Sequence, residues 1–344
     1  MKKRSFLKAG LMAALMASGM PAVAQEVTLR MHQFLPPQAT VPAQILIPWA
    51  EQIGEASGGR IKVEVYSAMA LGGTPPQLMD QVVDGVVDIA WTLPGYTPGR
   101  FPRTEVFELP FMMTTPGATS RALWSLYESD MADTEYAGVH ILGAWVHGPG
   151  VIHVNGDPIE TVEDMDGLKL RGPTRVINDM LRELGATPIG LPVPAIPENL
   201  AKGVIDGTVI PWEVTKALKV AELTEAHTEY AGEHALYTAA FVLVMNKDVY
   251  EALPADLQAI IDENSGADFS ANAGDVMLAG DGPARQIAID RGNTVISIEG
   301  DALAPWQAAA QPVIDRWVAE MAEKGIDGAD LLARARAAIA ANGM

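Results

Sequence analysis

The sequence predicts a mixed α/β fold assembled from two related lobes with a cleft between them. Short apolar strands alternate with segments of helical periodicity along most of the chain, which implies parallel sheets covered by helices. The run Gly85-Val86-Val87-Asp88-Ile89-Ala90-Trp91 is echoed by Gly203-Val204-Ile205-Asp206-Gly207, with Trp212 shortly after. In each half the run follows a strand and a helix in the same order, at a spacing far longer than a solenoid repeat. Finally, Tyr237 to Asn246 is an almost unbroken apolar run, read as a buried strand that returns the chain to the first lobe.

The elements follow in order. Residues 1–24 begin with Lys2, Lys3, Arg4 and Lys8, continue with an apolar stretch too short to span a bilayer, and end in Ala22-Val23-Ala24. This pattern predicts a secretory signal peptide cleaved after Ala24. Glu26 to Met31 alternates as a strand and opens into a loop at His32-Gln33-Phe34. A helix over 43–56, a strand over 61–66, a short helix over 76–83 and a strand over 86–91 complete the first unit. The Pro- and Gly-rich stretch after Trp91 is a loop. A helix over 119–126 and a strand over 139–146 lead to His147-Gly148-Pro149-Gly150, where the chain first crosses between lobes, and a strand resumes at Ile152 to Asn155.

The central block follows. Leu168 to Arg171 is a short strand stopped by Gly172-Pro173, and Val176, Ile177, Met180, Leu181 and Leu184 recur at helical spacing. A strand over 187–191, a short helix over 198–202, a strand over 204–210 and a helix over 214–223 come next. After Asn246, a long helical region runs from Pro254 to about Arg291, with a kink expected at Gly282-Pro283. A last strand over 295–298 and two Ala-rich helices finish the chain. The expected lobes are residues 25–148 with 237–280, and residues 149–236 with 281–344.

Composition narrows the function classes. Without residues 1–24 the chain carries 20 Lys and Arg against 43 Asp and Glu, a net charge of −23, which disfavours nucleic acid and anionic lipid surfaces. Cysteine is absent, which rules out disulfides, thiol nucleophiles and thiolate metal sites. The sequence contains no GxSxG, HExxH, Walker or EF-hand motif and no glycine-rich dinucleotide fingerprint after a strand. His140, His147 and His153 have no carboxylate in helical register, so neither a metal nor a cofactor is expected.

Ligands of parallel sheets sit beyond the carboxyl ends of the strands, and Arg171 stands at such an end. Its guanidinium is a permanently charged planar fork matched to a carboxylate. Position alone leaves two roles open, holding an organic anion or pairing with Glu163, Asp164 or Asp166. His32 and His147, also at strand ends, are candidate pocket residues. Asp88 and Asp206 are expected to bond local backbone, and Arg100 to form a structural salt bridge.

The signal peptide, His32-Gln33-Phe34, Gly167-Leu168-Lys169-Leu170-Arg171-Gly172-Pro173, Leu184-Gly185-Ala186-Thr187-Pro188 and Gly203-Val204-Ile205-Asp206-Gly207 together resemble the TRAP-type (tripartite ATP-independent periplasmic) solute-binding proteins of the DctP family. The resemblance spans nearly the whole chain after residue 24. It implies a two-lobed periplasmic-binding-protein fold, type II-like, with a hinge of crossing strands and a long connecting helix. It also implies a periplasmic receptor, not an enzyme, that hands a small organic acid to TRAP permease subunits without entering the membrane; the sequence leaves oligomeric state open, with a monomer as the default. In the family, the arginine of the Leu-Lys-x-Arg block pairs with the ligand carboxylate, which assigns that role to Arg171.

Two departures shape the expected ligand. Relatives often carry a further pocket arginine before the central block and an asparagine after the Val-Asp-Gly step, whereas the counterparts here are the Val151 region and Ile210. A second anionic end is therefore poorly served. Phe34, Trp91 and Trp212 offer an apolar or stacking wall, while mid-strand Trp145 reads as core. Glu213, able to accept from a hydroxyl or, as in some relatives, hold a cation, and Tyr237 complete the candidate set. The expected ligand is a monocarboxylate with a 2-hydroxy, 2-oxo or aromatic group. The rival readings are an exported hydrolase or lyase of organic acids and a ligand-presenting sensor protein.

Overall fold

The computed structural model describes residues 27–343, and the expected signal peptide lies outside them. The strands are β1 (Val27–His32), β2 (Ile61–Tyr66), β3 (Ile89–Thr92), β4 (Val139–Val146), β5 (Val151–Val154), β6 (Lys169–Gly172), β7 (Thr187–Gly190), β8 (Gly207–Ile210), β9 (Ala226–Tyr230), β10 (Ala240–Asn246) and β11 (Thr294–Ile298). The α-helices are α1 (Ile47–Ala56), α2 (Leu78–Val83), α3 (Pro116–Leu126), α4 (Arg175–Glu183), α5 (Ile196–Ala201), α6 (Trp212–Leu218), α7 (Lys247–Glu251), α8 (Ala255–Glu263), α9 (Ala267–Asp290), α10 (Leu303–Glu323) and α11 (Gly328–Asn342).

The strands form two sheets, ordered β2-β1-β3-β10-β4 and β11-β9-β5-β8-β6-β7. In the first, β1 lies parallel between β2 and β3, and β10 runs antiparallel to β3 and β4. In the second, β6 lies parallel between β7 and β8, and β5 runs antiparallel to β8 and β9. The same topology occurs twice, with one strand of each antiparallel arm supplied by a chain that has crossed from the other sheet. The echoed sequence runs do the same job in both: Asp88 accepts from the Arg30 amide at 2.7 Å and Asp206 from the Lys169 amide at 2.8 Å. Each carboxylate thus bonds a neighbouring strand rather than its own loop. Arg100 pairs with Asp80 at 2.5 Å.

Burial explains the strand that returns. All seven residues of β10 are buried, because β10 sits inside the sheet with helices on both faces, which favours a continuous apolar run over alternation. The second sheet hides an element that the sequence does not announce. Strand β9, AHTEY, is polar, yet His227 and Thr228 are buried because side-chain partners satisfy them: Thr228 donates to the Ile159 carbonyl at 3.0 Å, and His227 shares a proton with His153 at 2.7 Å.

The sheets are linked at residues 147–150, at residues 231–239 and along α9, which packs against α3 and β4 on one side and α6 and β11 on the other. The helical region expected from Pro254 divides at Gly266, whose φ of +89° suits glycine, and α9 then continues through Pro283. Close approach of α3 and α9 depends on small residues, since a Cβ at Gly274 would sit 2.8 Å from the Ser120 hydroxyl. At the chain's end α11 packs against α3. Among the described residues no helix is long and apolar enough to cross a membrane.

Candidate ligand-binding site

Arg171 is the third residue of β6, a strand flanked by β7 and β8, and its side chain is fully buried. Both neighbouring strands supply acceptors at their carboxyl ends. Nε donates to the Leu191 carbonyl at 2.7 Å and Nη1 to the Val209 carbonyl at 3.2 Å. Nη2 has no hydrogen-bond partner, and no carboxylate among the described residues forms an ion pair with Arg171. Glu163, Asp164 and Asp166 are therefore not its partners. The hydroxyls of Tyr96 and Tyr237 are the polar side chains that act on it, and burial pulls its pKa down. A charge taken out of water without a counter-charge costs several kcal/mol, so this arrangement is poised for an anion.

Arg171 faces a narrow cavity between the two sheets with a volume of about 30 Å³. The first sheet contributes Phe34 from the loop after β1, Trp91 from β3 and Phe241 from β10. Their rings are nearly parallel, with centroids 4.6 Å apart for Phe34–Trp91 and 5.1 Å for Trp91–Phe241. The second sheet contributes Arg171, Val209, Ile210 and Glu213, and the crossing segments contribute His147 and Tyr237. The Tyr237 hydroxyl, the Trp91 indole nitrogen and Glu213 Oε2 are buried without hydrogen-bond partners. The cavity thus combines an aromatic wall, one buried cation and a few unspent polar atoms.

The predicted site residues divide clearly. Arg171, Phe34, Trp91, His147, Glu213 and Tyr237 line this cavity. Trp212 and His32 do not. Trp212 and Glu213 are successive first-turn residues of α6, so their side chains diverge by about 100° and only Glu213 faces the cavity. Trp212 packs on His153 and His227 and donates to Glu229 at 2.7 Å. His32 is held beneath the loops, with Nδ1 2.7 Å from Gln81 Oε1 and Nε2 accepting from the Leu71 amide at 3.3 Å.

His147 lines the cavity with both nitrogens committed to backbone. Nδ1 donates to the Gly148 carbonyl at 2.5 Å and Nε2 accepts from the Ala239 amide at 3.0 Å. Burial lowers its pKa to about 4, so it is a neutral tie between the two crossing segments. Tyr96 was invisible to sequence reasoning. It comes from the Pro- and Gly-rich loop after β3, accepts from the Val193 amide at 3.0 Å and acts on the guanidinium; a lone aromatic just beyond a strand's carboxyl end was the available signal.

A buried arginine awaiting an anion between two like sheets is the geometry of a binding protein, and comparison decides which kind. The model of the family "DctP: Bacterial extracellular solute-binding protein, family 7" matches residues 33–321. The chain belongs to the DctP family. It is a TRAP solute-binding receptor, and its family is periplasmic and serves transport. Among solved DctP-type structures, a TRAP solute-binding protein from Rhodoferax ferrireducens T118 with copurified benzoate is 50% identical, with 92% of this chain and 98% of that one covered and a TM-score of 0.90. A marine-metagenome TRAP protein specific for aromatic acid ligands, co-crystallised with 3-hydroxybenzoate, is 45% identical over 93% of this chain and 100% of that one, TM-score 0.91. A Bordetella bronchiseptica receptor with bound (R)- and (S)-mandelate is 30% identical over 91% and 98%, TM-score 0.84.

Glu213 gives this DctP-family site a titration signature. Burial raises its pKa from 4.5 to about 8, a hydrogen bond with Thr40 opposes the shift, and Asp281 adds to it. A carboxyl whose pKa is raised by folding contributes stability that is full below its unfolded pKa and is lost as pH rises through the folded one. The loss for Glu213 spans pH 4.5 to 8 and amounts to about 5 kcal/mol. Glu213→Gln cannot ionise, so its stability advantage over the wild type should grow across that window. Urea unfolding of both proteins at pH 5, 6.5 and 8 checks this; a constant difference would show that Glu213 is not held protonated by the fold.

Proposed function

We propose that this receptor captures an aromatic monocarboxylate in the periplasm, clamps its carboxylate on Arg171 and its ring on the Phe34–Trp91–Phe241 wall, and passes it unchanged to a TRAP permease. The observation that carries the reading is the fully buried guanidinium with Nη2 unpartnered and no carboxylate paired to it, facing stacked rings. A carboxylate there would replace the lost solvation with charge-assisted hydrogen bonds. Relatives 50% and 45% identical were found with benzoate and 3-hydroxybenzoate, ligands of this chemistry. The cavity supplies no second cation, which disfavours dicarboxylates.

Residues 1–24 would export the chain. Residues 27–148 with 237–280 and residues 149–236 with 281–327 would close over the ligand as lobes, hinged at the crossing segments. Binding proceeds without turnover, and an acid recovered chemically unchanged after long incubation excludes a hydrolase or lyase.

A thermal-shift screen of the chain from Gln25 onward against aromatic, hydroxy, oxo, sugar and dicarboxylic acids tests the proposal. Benzoate-type acids should stabilise by about 4 kcal/mol at a thousandfold excess over the dissociation constant, whereas C4-dicarboxylates should give little shift. The reverse order would overturn the assignment.

A further inference from the structure

We propose that Glu213 is a specificity-determining residue of this site, whose Oε2 bonds a hydroxyl on the ligand's ring. The inference rests on the reading that Arg171 holds the carboxylate, and it assigns the other end of the ligand. Glu213 lies in the first turn of α6, is only 4% exposed and lines the cavity with Arg171. Its backbone amide donates to Asp281 at 2.8 Å. Its side chain is braced by α9, where a Cβ at Gly280 would lie 3.0 Å from the Glu213 Cβ and 3.3 Å from the Thr40 hydroxyl. Thr40 bonds the carboxyl group, yet Oε2 is buried without a partner. An acceptor or donor buried unsatisfied is costly, so a ligand group that reaches Oε2 is rewarded.

Two further observations identify that group. Arg171 donates to the Leu191 and Val209 carbonyls and not to Glu213, although both side chains line the cavity. The two side chains therefore address separate parts of one ligand instead of pairing with each other. Burial also keeps the carboxyl protonated at neutral pH, which gives it one O–H donor and an acceptor. A ring hydroxyl matches both states of such a group, accepting from the acid or donating to the carboxylate. Apolar ligands that lack the hydroxyl bind but leave Oε2 unpaired.

The experiment is isothermal titration of wild type, Glu213→Leu and Glu213→Gln with benzoate and the three hydroxybenzoates. In the wild type at least one hydroxybenzoate should bind about tenfold tighter than benzoate, one hydrogen bond's worth. Glu213→Leu should abolish that preference, and Glu213→Gln, whose amide can donate or accept, should retain it, a pattern that misfolding cannot mimic. No hydroxyl preference in the wild type, or an unchanged preference in Glu213→Leu, overturns the inference while Arg171-dependent benzoate binding survives. Failure of every aromatic acid to bind would instead overturn the proposed function.

Discussion

Replacing Arg171 with alanine should lower the affinity for benzoate by more than a hundredfold, about 3 kcal/mol, with folding largely intact. The guanidinium is the one cation lining the cavity, and its Nη2 has nothing in the protein to bond. Two opposing effects set the stability of the variant. The carbonyls of Leu191 and Val209 lose their donors, which destabilises, while the cost of keeping a charge out of water disappears, which stabilises. The net change should stay within about 2 kcal/mol. Arg171→Lys separates charge from shape. Its ammonium cannot donate to Leu191, Val209 and a carboxylate from one plane, so most of the affinity should still be lost. Titration calorimetry with denaturant unfolding reads both quantities; weak binding accompanied by collapse of the fold would instead mark Arg171 as structural.

Gly150→Ala should be the most damaging small substitution in the hinge. Gly150 lies in the first crossing segment and its amide donates to the Tyr237 carbonyl at 3.0 Å, binding that segment to the second crossing. A Cβ there would sit 2.0 Å from Tyr237 Cε1 and 2.2 Å from Cζ. Tyr237 is 1% exposed, so its ring has no solvent to swing into. The outlets are the ligand cavity or separation of the crossing segments. Overpacking of this kind costs about 1–3 kcal/mol, and in either case benzoate binding should fall at least tenfold. Gly150→Ala should lower the melting temperature less in a Tyr237→Ala background than in the wild type, because the clash is gone there. An equal loss in both backgrounds would show that the contact is not the cause.

The fold was legible where residue type and period agree. Strand β6, the helix after Gly172-Pro173 and the doubled Gly-Val-x-Asp step follow from local pattern, because apolar spacing and glycine stops act over a few residues. Strand β9 was not legible. Its burial depends on partners far away in the chain, Ile159 and His153, which make a polar segment compatible with a core. The site shows the same division. Arg171 could be picked out because a lone arginine at a strand end has a distinctive chemistry, and Phe34 and Trp91 because they end or follow strands of one sheet. The choice between Trp212 and Glu213 turned on the rotation of a single helical residue, and the placement of His32 on a loop closing over it at Gln81 and Leu71. Neither is encoded in local spacing.

A crystal structure of the chain from Gln25 onward grown with benzoate tests the central claim most directly. The account predicts one benzoate between the sheets, its carboxylate bonded to Arg171 through Nη2 and its ring against Trp91 and Phe241. A benzoate whose carboxylate is held elsewhere, with Arg171 still bonded only to Leu191 and Val209, would contradict it.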